Sequence, residues 1–123
     1  MGVDRLERVN SLLKRVIAES MFTVMRGDLV SPSSITVTGV SCGRDLHDAV
    51  VNVSVFGDES VKSLAMRQLR SRARRFQEII AREVKMKFTP RLAFRLDRSI
   101  EKGDEVLAIL ESLPKDENSD NRG

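Results

Sequence analysis

The chain has 123 residues, 41% hydrophobic, 32% charged and 4% aromatic, with a formal charge of +3. This is the size of one domain, and folding at this length buries roughly 65% of the unfolded surface, enough for a core without disulfides or metals. One cysteine, Cys42, excludes an internal disulfide, and there is no run of about 18 apolar residues to span a membrane. The opening residues Asp4, Arg5, Glu7 and Arg8 do not make a signal peptide, and Leu6 stands where a myristoylation signal needs Ser or Thr. A reduced, cytoplasmic chain is therefore expected.

Leu6, Val9, Leu12 or Leu13, Val16, Ile17 and Met21 recur every three or four residues, which predicts an amphipathic helix from about Asp4 to Met25, ended by Gly27 and Asp28. After Ser31-Pro32-Ser33-Ser34, Ile35 and Val37 alternate with Thr36 and Thr38, which predicts a strand to Cys42. The apolar phase then moves to Val40 and Cys42, so a β-bulge is expected at Gly39. A loop over Gly43-Arg44-Asp45-Leu46-His47 leads to a second strand with Ala49, Val51, Val53 and Val55 on one face, an antiparallel hairpin. Asp58 is placed to cap a helix.

Val61, Leu64, Ala65, Leu69, Ala73, Phe76, Ile79, Ile80 and Val84 keep helical spacing, which periodicity alone reads as one helix to about Met86. Arg72 disagrees, because at 100° per residue it falls beside Leu69, Phe76 and Ile79. Either it snorkels out of the apolar stripe or the helix breaks near it. Thr89-Pro90 is a stop, and Leu92, Phe94 and Leu96 form a third strand, expected to lie parallel to the first. Val106, Ile109, Leu110 and Leu113 suit a short last helix, followed by a polar tail over 114–123 expected to be disordered. The expected fold class is α+β, with one sheet face under helices and the other, carrying Asn52, Ser54 and Arg95, open to water.

The total charge conceals its distribution. Residues 67–91 hold nine basic residues against two acids, Glu78 and Glu83, a local excess of +7. Residues 104–123 hold six acids against two bases, −4, and the remainder is neutral. Seven of the nine cations in the band are arginines, whose guanidinium groups bind phosphate oxygens bidentately. Along one helix face Arg67, Arg70, Arg74, Arg82 and Lys85 fall together, and Arg75, Lys87 and Arg91 extend the band. These eight are the candidate RNA-binding residues. A solvated helix face is the competing account of the same pattern, and a protein-interaction adaptor meeting an acidic partner is the competing function.

The order of elements and several short words resemble the ribosome-binding factor A family. The resemblance runs from about Arg5 to Gly103 and is carried by Arg5-x-x-Arg8-Val9, Thr36-Val37-Thr38-x-Val40, Asp45-Leu46-x-x-Ala49, Val53-Ser54-Val55-x-Gly57, Thr89-Pro90-x-Leu92-x-Phe94 and Asp97-x-Ser99-Ile100-Glu101-x-Gly103. It implies a type II KH-like domain over 1–113, of order α-β-β-α-α-β with a short C-terminal helix. It implies a non-enzymatic factor that binds the immature small (30S) ribosomal subunit where the 5′ stem and decoding-site helix of 16S rRNA meet, supports late maturation including processing of the 16S precursor, and matters most in the cold. KH domains commonly clamp the backbone with Gly-x-x-Gly, which this chain lacks. The family's Ala-x-Gly helix kink corresponds here to Ala73-Arg74-Arg75, with the alanine kept and the glycine replaced. The family's Asp-Pro after the first helix is also missing, and Gly27-Asp28-Leu29-Val30 stands there.

Arg5, Arg8 and Arg44 are possible secondary RNA contacts, although Arg5 and Arg8 are as well explained by pairing with Asp4 and Glu7 or by solvation. Phe22, Phe76 and Phe94 read as core, Phe56 ends a strand and Phe88 lies in a loop, so base stacking is expected to be minor and backbone recognition dominant. Cys42 and His47 flank the hairpin loop, but one Cys and one His supply neither a metal ligand set nor an oriented nucleophile and base, so no catalytic residue, metal or cofactor is expected. The sequon Asn52-Val53-Ser54 lies in a strand and is set aside. A monomer is expected.

Overall fold

The computed structural model describes residues 2–99. The segment expected to form the short last helix, the polar tail over 114–123 and the motif residues Ile100, Glu101 and Gly103 lie outside the described residues. In chain order the elements are α1 (Gly2–Val24), a 3-10 turn (Pro32–Ser34), β1 (Ile35–Cys42), β2 (Asp48–Val55), α2 (Glu59–Ser71), α3 (Ala73–Glu83) and β3 (Arg91–Leu96). They form three helices on one three-stranded mixed sheet.

α1 buries Leu13, Val16, Ile17, Met21 and Val24, the stripe its spacing requires, and Met25 just past its end is buried too. Ser20 falls on this stripe, and its hydroxyl donates to the Val16 carbonyl at 2.6 Å, so the buried polar group is satisfied. Gly27 follows at φ +85°, a left-handed conformation in which an L side chain is strained. Phe22 does not join the core. It lies one position past Met21, off the stripe, and is 60% exposed.

β1 and β2 pair antiparallel, and the register slips between Val37 and Gly39, leaving Thr38 as the extra residue of a bulge. The slip turns Ile35, Val37, Val40 and Cys42 to the same buried side, although their spacing along the chain is not uniform. The Thr38 hydroxyl donates to Asp97 Oδ2 at 2.6 Å, tying the bulge to the residue that follows β3. β3 pairs parallel with β2, from Asp48↔Arg91 to Val53↔Leu96, in the strand order β1-β2-β3. The expectation that β3 lies parallel to β1 is therefore corrected. The hairpin occupies one edge of β2, and the helical crossover returns the chain to the other, so β3 runs with β2 and against β1.

Gly57 joins β2 to α2 at φ +142°, and a Cβ there would meet Val61 Cγ1 at 2.7 Å. Asp58 caps α2, accepting the Val61 N–H at 2.9 Å. The core of Leu69, Phe76, Ile80, Val51 and Val53 lies between sheet and helices, with Phe76 and Phe94 rings 5.6 Å apart.

Two phenylalanines separate these environments. Phe76→Ala should cost about 3–5 kcal/mol, whereas Phe22→Ala should stay within about 0.5 kcal/mol. Urea denaturation of both variants measures the difference, and equal losses would contradict the packing described.

Candidate nucleic-acid interface

The basic band is shaped by a helix break. Arg72 sits between α2 and α3 at φ −102° and ψ 4°. Its N–H is shared between the Gln68 and Leu69 carbonyls at 3.1 and 3.0 Å, closing α2. Its carbonyl accepts the N–H groups of Arg75 and Phe76, opening α3. A continuous helix would press this guanidinium into the apolar stripe, where an unpaired charge is strongly disfavoured. The break turns it instead to Asp28, whose two carboxylate oxygens take Arg72 Nε, at 3.1 Å, and Nη2. The Asp28 side chain is 8% exposed and that of Arg72 36%. Asp28 in turn holds the guanidinium above its ordinary pKa through hydrogen bonding and charge.

Of the two outcomes left open for Arg72, the break is the one realised, and α3 ends at Glu83 rather than near Met86. The break falls one residue before Ala73-Arg74-Arg75, which form the first turn of α3. Because φ at the break is negative, no glycine is required, and Arg75 in the kink glycine's place carries no strain of that kind.

The break divides the cations between two helices. Arg67 and Arg70 are exposed on α2, and Arg74, Arg75 and Arg82 are exposed on α3. Lys85, Lys87 and Arg91 are exposed beyond α3. The single straight face expected from periodicity is thus corrected to two faces joined at a corner. Arg70 Nη2 donates to the Phe94 carbonyl at 3.4 Å, a long bond that leans the side chain towards β3. Arg91 Nε donates to Asp48 Oδ1 at 3.1 Å. Arg5 and Arg8 are exposed on α1. Arg44 is exposed in the hairpin loop, away from both helices in sequence.

Arg98 was not legible as part of this surface. It lines a shallow groove with Lys62, Ser63, Met66, Arg67, Arg70 and Leu96, between α2 and the end of β3. Its two terminal nitrogens donate to the two oxygens of Glu59 at 2.8 and 2.7 Å, holding that carboxyl below its usual range. Arg98 lies beyond the basic band of residues 67–91, and the neighbouring Asp97 is taken by Thr38 and the Ser99 N–H.

Cys42 is buried and its thiol is pushed up by desolvation, and His47 is an exposed loop residue. Among the described residues no group of three or more His, Cys, Asp or Glu is placed to hold a metal ion. No helix among them is long and apolar enough to cross a membrane.

Fold and surface together define a class: a small α+β domain of KH-like fold whose helix pair carries a ridge of exposed arginines. The chain belongs to the ribosome-binding factor A family, whose model matches residues 5–110. Ribosome-binding factor A of Synechocystis sp. is 32% identical over 111 residues, covering 90% of this chain and 84% of the relative. The crystal structure of ribosome-binding factor A from Thermus thermophilus is 30% identical, with a TM-score of 0.65, covering 76% of this chain and 97% of that one. A Thermus thermophilus ribosome-binding factor A homology model, fitted into the cryo-EM map of a 30S complex, is 32% identical, with a TM-score of 0.58, covering 72% of this chain and 91% of that one.

Three carboxyls are depressed by specific donors: Asp58 by the Val61 N–H, Glu59 by Arg98 and Asp97 by the Thr38 hydroxyl. A group with a lowered folded pKa stabilises the fold above its unfolded value, about 4 for these carboxyls, and that contribution is lost as pH falls through the folded value. Thermal melts at pH 7 and on acidification below about 4 should show Tm falling, and falling less for Asp97→Asn. An unchanged acid limb in that variant would contradict the assigned role of Asp97.

Proposed function

We propose that the protein is a non-enzymatic assembly factor that binds the free, immature small ribosomal subunit and supports its late maturation, including processing of the 16S rRNA precursor. It docks through phosphates of 16S rRNA, near the 5′ stem and decoding-site helix that the family resemblance indicates. It acts as a monomer in the cytoplasm, with its largest effect in the cold. Family membership supports the ribosomal role, and a relative fitted into a 30S complex supports the choice of subunit.

The observation that carries the phosphate reading is the exposure of Arg67, Arg70, Arg74, Arg75 and Arg82 on two helices whose apolar faces are spent on the core. A guanidinium fork meets two phosphate oxygens at once and is indifferent to base identity. Lys85, Lys87 and Arg91 continue the ridge towards the sheet, and the Arg91–Asp48 pair is exposed enough to exchange its carboxylate for a phosphate.

Arg70→Gln, Arg74→Gln and Arg82→Gln together should weaken binding to immature subunits at least about tenfold, since a charge-assisted hydrogen bond contributes on the order of 1.5–3 kcal/mol. The log–log salt slope should fall by roughly 0.7–0.9 for each phosphate contact removed. Co-sedimentation with small subunits at several salt concentrations, beside circular dichroism to show that the variant folds, is the measurement. A triple variant that co-sediments like the wild type would overturn the phosphate reading. Association that survives RNase treatment would favour an adaptor on an acidic protein.

A further inference from the structure

We propose that the exposed His47–Phe88 ring pair is a stacking platform for an unpaired RNA base. The inference rests on the RNA-binding reading above and adds a second mode of contact, where Lys85, Lys87 and Arg91 continue the ridge towards the sheet. His47 comes from the β1–β2 hairpin loop and Phe88 from the loop between α3 and β3. Their ring centroids are 4.6 Å apart with planes inclined at 37°. His47 is exposed, and Phe88 is 48% exposed although it is a large apolar ring.

Three features separate this pair from an incidental surface contact. The first is rigidity. The Arg91 N–H donates to the His47 carbonyl at 2.9 Å, and Asp45 Oδ1 accepts the His47 N–H at 3.0 Å. The Arg91–Asp48 bond ties the starts of β3 and β2, where the two loops end, and Pro90, two residues past Phe88, is buried. The loop backbone is therefore fixed before any ligand arrives, which reduces the ordering cost of binding.

The second feature is charge. Lys87 Nζ stands 5.6 Å from the Phe88 ring centroid, a cation over an aromatic face. Lys85 and Arg44 lie in the same two loops, against Asp45, while Arg91 at the start of β3 is paired with Asp48 at the start of β2. The third is singularity. Phe22, Leu29 and Phe56 are also exposed, yet among the described residues only Phe88 has both a ring partner and a cation.

An exposed pair of aromatic rings with cations nearby fits a nucleobase joined to phosphates, because stacking takes the base and the cations take the backbone. A base within a duplex cannot reach the rings, so the ligand is a nucleotide in a single-stranded segment, loop or bulge.

The probe is a short single-stranded oligoribonucleotide carrying 2-aminopurine, whose fluorescence is quenched on stacking, with the same sequence as a duplex for control. Wild-type protein should bind and quench the single strand and leave the duplex unquenched. Phe88→Leu, which keeps apolar bulk but removes the ring, should lose the quenching and about tenfold in affinity, and Phe88→Tyr should restore both. Lys87→Gln should lower the log–log salt slope by about 1. In the unmutated protein the His47 ring proton resonances should shift on adding the oligoribonucleotide, a readout that does not depend on a variant folding. Unchanged quenching in Phe88→Leu, unshifted His47 resonances, or equal affinity for free adenosine monophosphate would overturn the platform. Wild-type protein that co-sediments with small subunits in an RNase-sensitive way but ignores the probe would overturn the platform alone. Failure of both assays would overturn the RNA reading as well.

Discussion

The pairing of Arg72 with Asp28 is the constraint around which the helical layer is arranged. One charged residue on an otherwise apolar stripe cannot enter the core, so the helix gives way at that residue. The carboxylate that receives it comes from the turn after α1, which brings the end of the first helix against the junction of the other two. The adjacent Val30 N–H donates to Gln68 Oε1 at 3.4 Å, a second and weaker tie between the same segments. Because the charge is paired on both carboxylate oxygens, the corner is a defined angle and not a point of slack.

The surface follows from this corner. With Arg72 turned inward to Asp28, Phe76 and Ile80 keep their place in the core, and Arg74 and Arg75 are left outside. α3 is joined to the sheet by Gln77, whose Oε1 accepts the Leu92 N–H at 3.0 Å, so the outer face of α3 is held in fixed relation to β3. A cation on such a surface is positioned by the packing beneath it. That arrangement suits recognition of a rigid backbone shape better than recognition of a freely moving strand.

Much of this was legible in the residues. The phase slip from Val37 to Val40 located the bulge, Asp58 announced its cap, and the hairpin loop from Gly43 to His47 has the predicted bounds. Arg72 signalled its own anomaly, because a cation in an apolar phase must either reach out or end the helix. Its partner was not legible, since Asp28 is 44 residues away in sequence and reads there only as a helix stop. The side of β2 taken by β3 was also hidden, because periodicity reports which face of a strand is buried and says nothing of which edge is paired. Phe22 misled because it lies next to the apolar phase, whereas the one-residue step from Met21 turns it outward. The His47–Phe88 contact joins two loops, where no period operates, and Arg98 lies outside the run of cations over residues 67–91.

The mixed sheet also bears on the order in which the chain can assemble. Thr38 and Asn52, joined across the hairpin, are 14 residues apart, whereas Asp48 and Arg91, joined across the parallel pair, are 43 apart. Loop closure entropy makes the longer contact about 1 kcal/mol harder to form before other contacts help. The two-stranded ribbon can therefore close early, while the third strand waits until the intervening helices have shortened the gap it must cross. The bond from Thr38 to Asp97 lies just beyond this last strand and forms only when it is in place, so the same bulge that sets the register of the first pair also fastens the final one.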